Sequence, residues 1–231
     1  MPITLLGLDA DDTLWHNETY FRMTEERFRA LLSPYADPDA VGARLRDAEE
    51  RNLSLYGYGA KGFALSMIET ALELGGNDLP ARVVRDILDA GRDMLRHPVE
   101  PLPGAREAVE ALAGTVRLVL VTKGDLFHQE SKLAASGLGS LFHAVEIVAD
   151  KRPDTYRRIL ARHGAAPDEA MMAGNSVRSD VLPMLEAGGW AALIPYPIVW
   201  SHEVAEAPHG HPRFRELATL AELPGWIAGI A

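Results

Sequence analysis

The chain has 231 residues, enough for one large domain or two smaller ones and for a substantial buried core. An apolar content of 47% is that of a globular protein, and the complete absence of cysteine excludes a disulfide framework, a thiolate zinc site and a cysteine nucleophile. The formal charge of −10 argues against a nucleic-acid surface, which needs a basic stripe, whereas a small anionic substrate responds only to the local field of its pocket.

The N-terminal segment does not read as a secretory signal, because its first charged residue is Asp9 and the apolar run before it is short. No stretch has the length of a membrane span. These features, with the lack of cysteine, suit a cytoplasmic protein without membrane or nucleic-acid partners, acting as a monomer or homodimer.

Residues 3–8 form a short, almost continuous apolar run, the pattern of a buried parallel strand. Residues 15–98 hold no convincing strand. Four helical stretches fill them instead, at roughly 17–33, 38–56, 62–75 and 80–96. The proline-rich segment 97–104 then reads as a linker. Further strands are expected at 116–121, 144–149, 170–173 and 191–195, with helices at 126–136, 153–163 and 177–187 between them. Residues 198–213, with three histidines and two prolines, read as irregular. The alternation predicts an α/β fold with a doubly wound parallel sheet, built from residues 1–14 and 99–231, and an inserted helical domain over 15–98.

The chemistry-bearing residues fall at the predicted strand ends, where ligands of open α/β sheets bind. The first strand runs into Asp9-Ala10-Asp11-Asp12-Thr13. With extended backbone, Asp9 and Asp11 point to one side, so one must be neutral or a cation must be shared between them. Asp12 and Thr13 could simply cap a turn, but capping does not account for three acids at the end of a buried strand. The second strand ends in Thr122-Lys123-Gly124-Asp125, a hydroxyl, an ammonium and a free backbone amide suited to an anion. Thr122 or Asp125 as a plain helix cap is the alternative. Lys151 follows the third strand. The fourth runs into Gly174-Asn175-Ser176-Val177-Arg178-Ser179-Asp180, where Asn175 and Asp180 offer oxygens to a hard cation and Asn175 or Ser176 could equally cap a helix.

Taken together, this order of acid pair, hydroxyl, lysine and acid resembles the haloacid dehalogenase superfamily, over nearly the whole chain. Asp9 to Thr13 matches its Asp-x-Asp-x-Thr motif, Thr122 its second motif, Lys151 its third and Gly174 to Asp180 its fourth. The 15–98 insert resembles the helical cap of its first cap class. The resemblance implies a Rossmann-like core and a Mg²⁺-dependent phosphatase acting on a small phosphorylated metabolite. Asp9 would be the nucleophile and Asp11 the acid and base. Mg²⁺ would be held by Asp9, the Asp11 carbonyl, Asn175 and Asp180. Thr122 and Lys151 would hold the phosphoryl oxygens, and Lys123 of the anion-binding corner is a further substrate-binding candidate.

One departure is that Asn175 stands where the fourth motif usually has an acid. The family's dehalogenases lack an acid at the position of Asp11, so its presence favours phosphate esters over carbon–halogen bonds. A phosphonatase, a phosphomutase and a non-catalytic binding member are the other readings. In the insert, the loop 55–63 could bring Lys61 or a tyrosine to a substrate, or could be a plain turn. Trp15 and His16 could line a cleft or pack, and the histidines at 202, 209 and 211 read as solvated.

Overall fold

The computed structural model describes residues 2–230. The chain divides into two compact units, one made of residues 1–18 and 99–231, the other of residues 19–98. The first crossing thus falls at position 18 rather than at position 14, the limit read from the sequence.

The first unit opens with β1 (Leu5–Leu8), and the second unit carries α1 (Glu18–Leu32), α2 (Pro38–Tyr56), α3 (Ala60–Gly75) and α4 (Ala81–Arg96). The first unit resumes with α5 (Ala105–Ala113), β2 (Arg117–Lys123), α6 (Leu126–Ser136), β3 (Ala144–Val148), α7 (Pro153–Arg162) and β4 (Ala170–Gly174). A π-helical turn (Val177–Val181) leads into α8 (Leu182–Glu186), followed by β5 (Trp190–Leu193), β6 (Phe214–Glu216) and α9 (Leu223–Ala228). Among the described residues no helix is long and apolar enough to cross a membrane.

The six strands form one parallel sheet in the order β3-β2-β1-β4-β5-β6. Strand alternation sends Leu6, Leu8, Leu118, Leu120, Met171 and Ala173 to one face, where they pack with Ala105, Val109 and Leu112 of α5 and Ile227 of α9. Leu5, Val119, Val121 and Met172 pack on the other face with Tyr156, Ile159 and Leu160 of α7 and Met184 of α8. Both faces are covered, which is why the inner strands read as unbroken apolar runs. The strand order reverses between β1 and β4, and that reversal opens the crevice where ligands of such sheets bind.

The helical unit has its own core, built on Phe28, Leu32, Leu45, Met67, Val83 and Ile87. Asp37 caps α2 by accepting from the amides of Asp39 and Ala40. Gly57 and Gly59, both at positive φ, shape the connection to α3.

Two elements escaped the sequence reading. Helix α5 lies directly after the linker, and β6 is a three-residue edge strand just past the segment read as irregular.

Candidate active site

Beyond β1 the ladder continues for one more step, with the Asp9 amide donating to the Ala173 carbonyl at 3.0 Å. The chain then turns. The Leu14 amide donates to the Ala10 carbonyl at 2.8 Å, and Asp12 adopts a left-handed φ of 61°. That strained position is held because the Asp12 carboxylate accepts from the amides of Asn17 (2.8 Å) and Glu18 (3.0 Å). Asp12 is therefore a cap, as the plainer sequence reading allowed. Burial and the neighbouring Asp11 push its carboxyl up to about 7.

Lys151, 3% exposed, joins two acids from opposite sides of the crevice. Its Nζ lies 2.5 Å from Asp9 Oδ1 and 2.6 Å from Asp180 Oδ1. Burial pulls the ammonium down, but Asp180 and Asp9 outweigh it and hold Lys151 protonated. Burial pushes the Asp9 carboxyl up to about 7, against the pull of Lys151 and with a further push from Asp180.

Asp11 has a separate set of partners. Lys132 Nζ lies 2.5 Å and Trp15 Nε1 2.8 Å from its Oδ1, and Gln129 Nε2 lies 3.1 Å from its Oδ2. Burial pushes this carboxyl up, but Lys132, Trp15 and Gln129 together hold it below the ordinary aspartate value. The sequence reading required one of Asp9 and Asp11 to be neutral or a cation to be shared between them; in the structure each carboxyl has a lysine of its own beside it. Gln129 also lies 2.6 Å from Thr122 Oγ1 and 2.9 Å from the Lys123 carbonyl, so α6 ties the second motif to the first. Asp125 caps α6 through the His128 amide (3.0 Å).

On the far side of β1, Gly174 allows close approach. A Cβ there would lie 2.2 Å from Asp180 Oδ2 and 2.9 Å from the Asp9 Cβ. The π-helical turn that follows carries Asp180, whose Oδ2 accepts from the Ser176 amide at 3.0 Å. Ser176 caps this turn through the Ser179 amide (2.9 Å), which leaves Asn175 available to the site. Thr13 Oγ1 lies 3.2 Å from Asp9 Oδ2 and 3.4 Å from Asn175 Oδ1. The two oxygens thus converge on the Thr13 hydroxyl, which has a single proton to share between them.

Asp9, Asp11, Thr122, Lys151, Asn175 and Asp180 are thus gathered at one end of the sheet. Lys123 pairs with Glu203 and donates to Ser179 Oγ at 2.9 Å. Lys61 lies in the helical unit, in the first turn of α3. Sequence reasoning missed Lys132, Gln129 and Glu203. A Gln-x-x-Lys pair on one face of α6 was the available signal for the first two. His16 Nδ1 lies 2.7 Å from the Tyr196 hydroxyl, and Trp15 is buried in the core.

A buried acid just past the central strand, a lysine bridging it to an acid that follows the next strand, and a second ordered acid two residues on form one polar cluster at the end of a parallel sheet. A family model for haloacid dehalogenase-like hydrolases matches residues 3–188, and the chain belongs to that family. A curated relative, the phosphoserine phosphatase of Thermus thermophilus, is 29% identical over 208 residues, covering 77% of this chain and 82% of the relative. A haloacid dehalogenase-like hydrolase from Xanthomonas campestris superposes with a TM-score of 0.89 at 44% identity, over 99% of this chain and 91% of that one. The L-2-haloacid dehalogenase of Xanthobacter autotrophicus, with chloropropionic acid covalently bound, has a TM-score of 0.67 at 17% identity, over 99% and 100% of the chains, and shares the fold.

Proposed function

We propose that this hydrolase cleaves a small-molecule phosphate monoester, with Asp9 as nucleophile and Asp11 as acid and base. The observation that carries the reading is the ordered second acid, since Asp11 is held by Lys132, Trp15 and Gln129 at the end of the same strand as Asp9. A carbon–halogen bond would make no use of such a group, because halide leaves without a proton.

The donor set fits Mg²⁺. Asp9 Oδ2 and Asn175 Oδ1 converge on the Thr13 hydroxyl, and all the oxygens involved are hard ligands. Among the described residues no group of three or more histidine, aspartate or glutamate side chains forms a ready metal cage. Asp9, Asp180, the Asn175 amide oxygen and the Asp11 main-chain carbonyl would together hold the ion. When bound, Mg²⁺ would offset phosphoryl charge and so ease the approach of a carboxylate to a phosphate dianion.

The chain's own groups do the rest. An Asp9 carboxylate oxygen forms a bond to phosphorus as the ester P–O bond breaks, and the leaving oxygen takes a proton passed on by Asp11, which first draws it from solvent because its own resting form is the carboxylate. Water then attacks phosphorus, Asp11 takes its proton, and the bond to Asp9 breaks to release phosphate. Thr122 and Lys151 orient and neutralise the phosphoryl oxygens throughout. In the helical unit we assign substrate choice to the Gly57–Gly59 connection and to Lys61. The phosphoserine phosphatase relative makes small phosphorylated metabolites, phosphoserine among them, the first esters to try.

An aryl phosphate is the suitable first probe, because its weakly basic leaving oxygen makes the least demand on Asp11. The test is magnesium-dependent phosphate release from that ester and from a panel of phosphorylated metabolites, with Asp9→Asn as control. Asp9→Asn should lose about 10⁴-fold or more, the scale of removing a covalent nucleophile. Equal release by the two proteins, or none by the wild type on any ester, would defeat the reading.

A further inference from the structure

From the ties around Glu203, we infer that this residue is a positioning residue for the turn that carries Asn175 and Asp180. Glu203 ends a short helical turn (Ser201–Glu203) in the segment between β5 and β6. Its side chain is 15% exposed, and it ion-pairs with Lys123 at the end of β2. The hydroxyls of Ser176 and Ser179 both donate to its Oε2. Next to it, Arg178 Nη1 donates to the His202 carbonyl at 2.8 Å. Every one of these partners except Lys123 belongs to the π-helical turn or its cap.

The placement follows from what that turn lacks. A π turn is uncommon in isolation and needs outside support. Its inner side is committed, since Ser176 N and Lys151 Nζ hold Asp180. Its outer side presents two serine hydroxyls, and Glu203 is the acceptor that fixes both. The path from Glu203 through Ser176 to Asp180 and Lys151 ends on Asp9. Lys123 neutralises Glu203, which lets a carboxylate hold the turn that carries Asp180 without adding net charge. Glu203 therefore acts on the site through other residues. Outer partners of this kind typically govern metal affinity by about 10- to 100-fold when removed. The consequence for metal rests on the proposed phosphatase reading, while the tie itself does not.

The test uses the full chain with Glu203→Ala and the isosteric Glu203→Gln. Amide exchange should rise in Glu203→Ala over residues 176–181 and not elsewhere in the sheet. Magnesium binding by calorimetry should weaken about tenfold, with the KM for an aryl phosphate at saturating magnesium unchanged. Glu203→Gln keeps an acceptor for the serines and should restore most of both properties. Should the alanine variant fail to fold, Ser179→Ala removes one of the two hydroxyls that Glu203 holds, leaves the Ser176 cap in place and should weaken magnesium binding in the same direction. Wild-type exchange in the turn and wild-type magnesium affinity in a folded Glu203→Ala protein would overturn the proposal. If wild type neither binds magnesium nor cleaves esters but the turn still loosens in the variant, the tie stands and the phosphatase reading falls.

Discussion

Lys132 Nζ lies 2.5 Å from Asp11 Oδ1, which joins the middle of α6 to the acid two places after Asp9. The same ammonium lies 3.2 Å from Asn17 Oδ1, so it clasps both ends of the turn that follows β1. A flexible acid would spend much of its time away from the leaving oxygen, and misplacement by about 1 Å can cost about 100-fold in rate. Lys132→Met should therefore lower kcat by about 10- to 100-fold with little change in KM, and Lys132→Arg should recover part of it. Steady-state kinetics on an alkyl phosphate, whose basic leaving oxygen needs the proton from Asp11, decide this, and a wild-type kcat in Lys132→Met would reduce the lysine to a structural role.

Asp11 itself should matter more for completing turnover than for starting it. Asp11→Asn keeps the shape and most hydrogen bonds but moves no proton, so turnover should fall by about 10²- to 10⁴-fold. Phosphate should still be trapped on Asp9 and be visible by mass spectrometry of quenched protein. Full turnover in this variant would remove Asp11 from the mechanism.

Lys151 supports both stability and chemistry. Replacing it with methionine leaves the buried carboxylates of Asp9 and Asp180 facing each other without their shared ammonium. Breaking a buried ion pair on one side typically costs about 3–5 kcal/mol. A urea titration should show that loss, together with loss of phosphate release. An unchanged midpoint would mean that Asp9 is held by other contacts.

These site contacts differ in how far they could be read from the sequence. Asp9, Thr122, Lys151 and Asp180 were legible because each ends a buried strand or follows it closely, and β1, β2 and β4 announce themselves as apolar runs packed on both faces. Lys132, Gln129 and Glu203 were not. The first two lie on a helix whose polar residues resemble any solvated face, and the acid they share, Asp11, is more than a hundred positions away. Glu203 lies in a proline- and histidine-rich stretch with no periodicity. Strand β6 escaped for a related reason, because three half-exposed residues at a sheet edge carry no apolar run. The helical insert was legible to within two residues at each helix end, since four separate amphipathic stretches carry their own period.

Acid should expose the Glu203 tie. Burial raises the Glu203 carboxyl, but Lys123 and the hydroxyls of Ser176 and Ser179 outweigh it and hold the group below its ordinary value of 4.5. Lys123 faces it from β2, Arg178 sits beside it on the π turn, and Tyr156 lies within its field. A carboxyl depressed in the folded state adds stability above its ordinary value and loses it as pH falls through the folded value. The stability lead of wild type over Glu203→Gln should thus be full at neutral pH and shrink below pH 4.5. Urea midpoints measured across that range check it, and a lead that stays constant on acidification would contradict it.

The helical unit is spliced into the sheet unit at a closed seam. Trp15 and Pro101 are bridged antiparallel, the His16 amide donates to the Glu100 carbonyl at 3.0 Å, and the Leu102 amide donates to the Leu14 carbonyl at 2.9 Å. The outgoing and returning strands are stitched together before the insert begins. In engineering terms the seam is a socket. Residues 19–98 can be exchanged for a short turn, or for a different helical module, without asking the sheet to close a gap. The sheet unit keeps its own closure whichever module it carries.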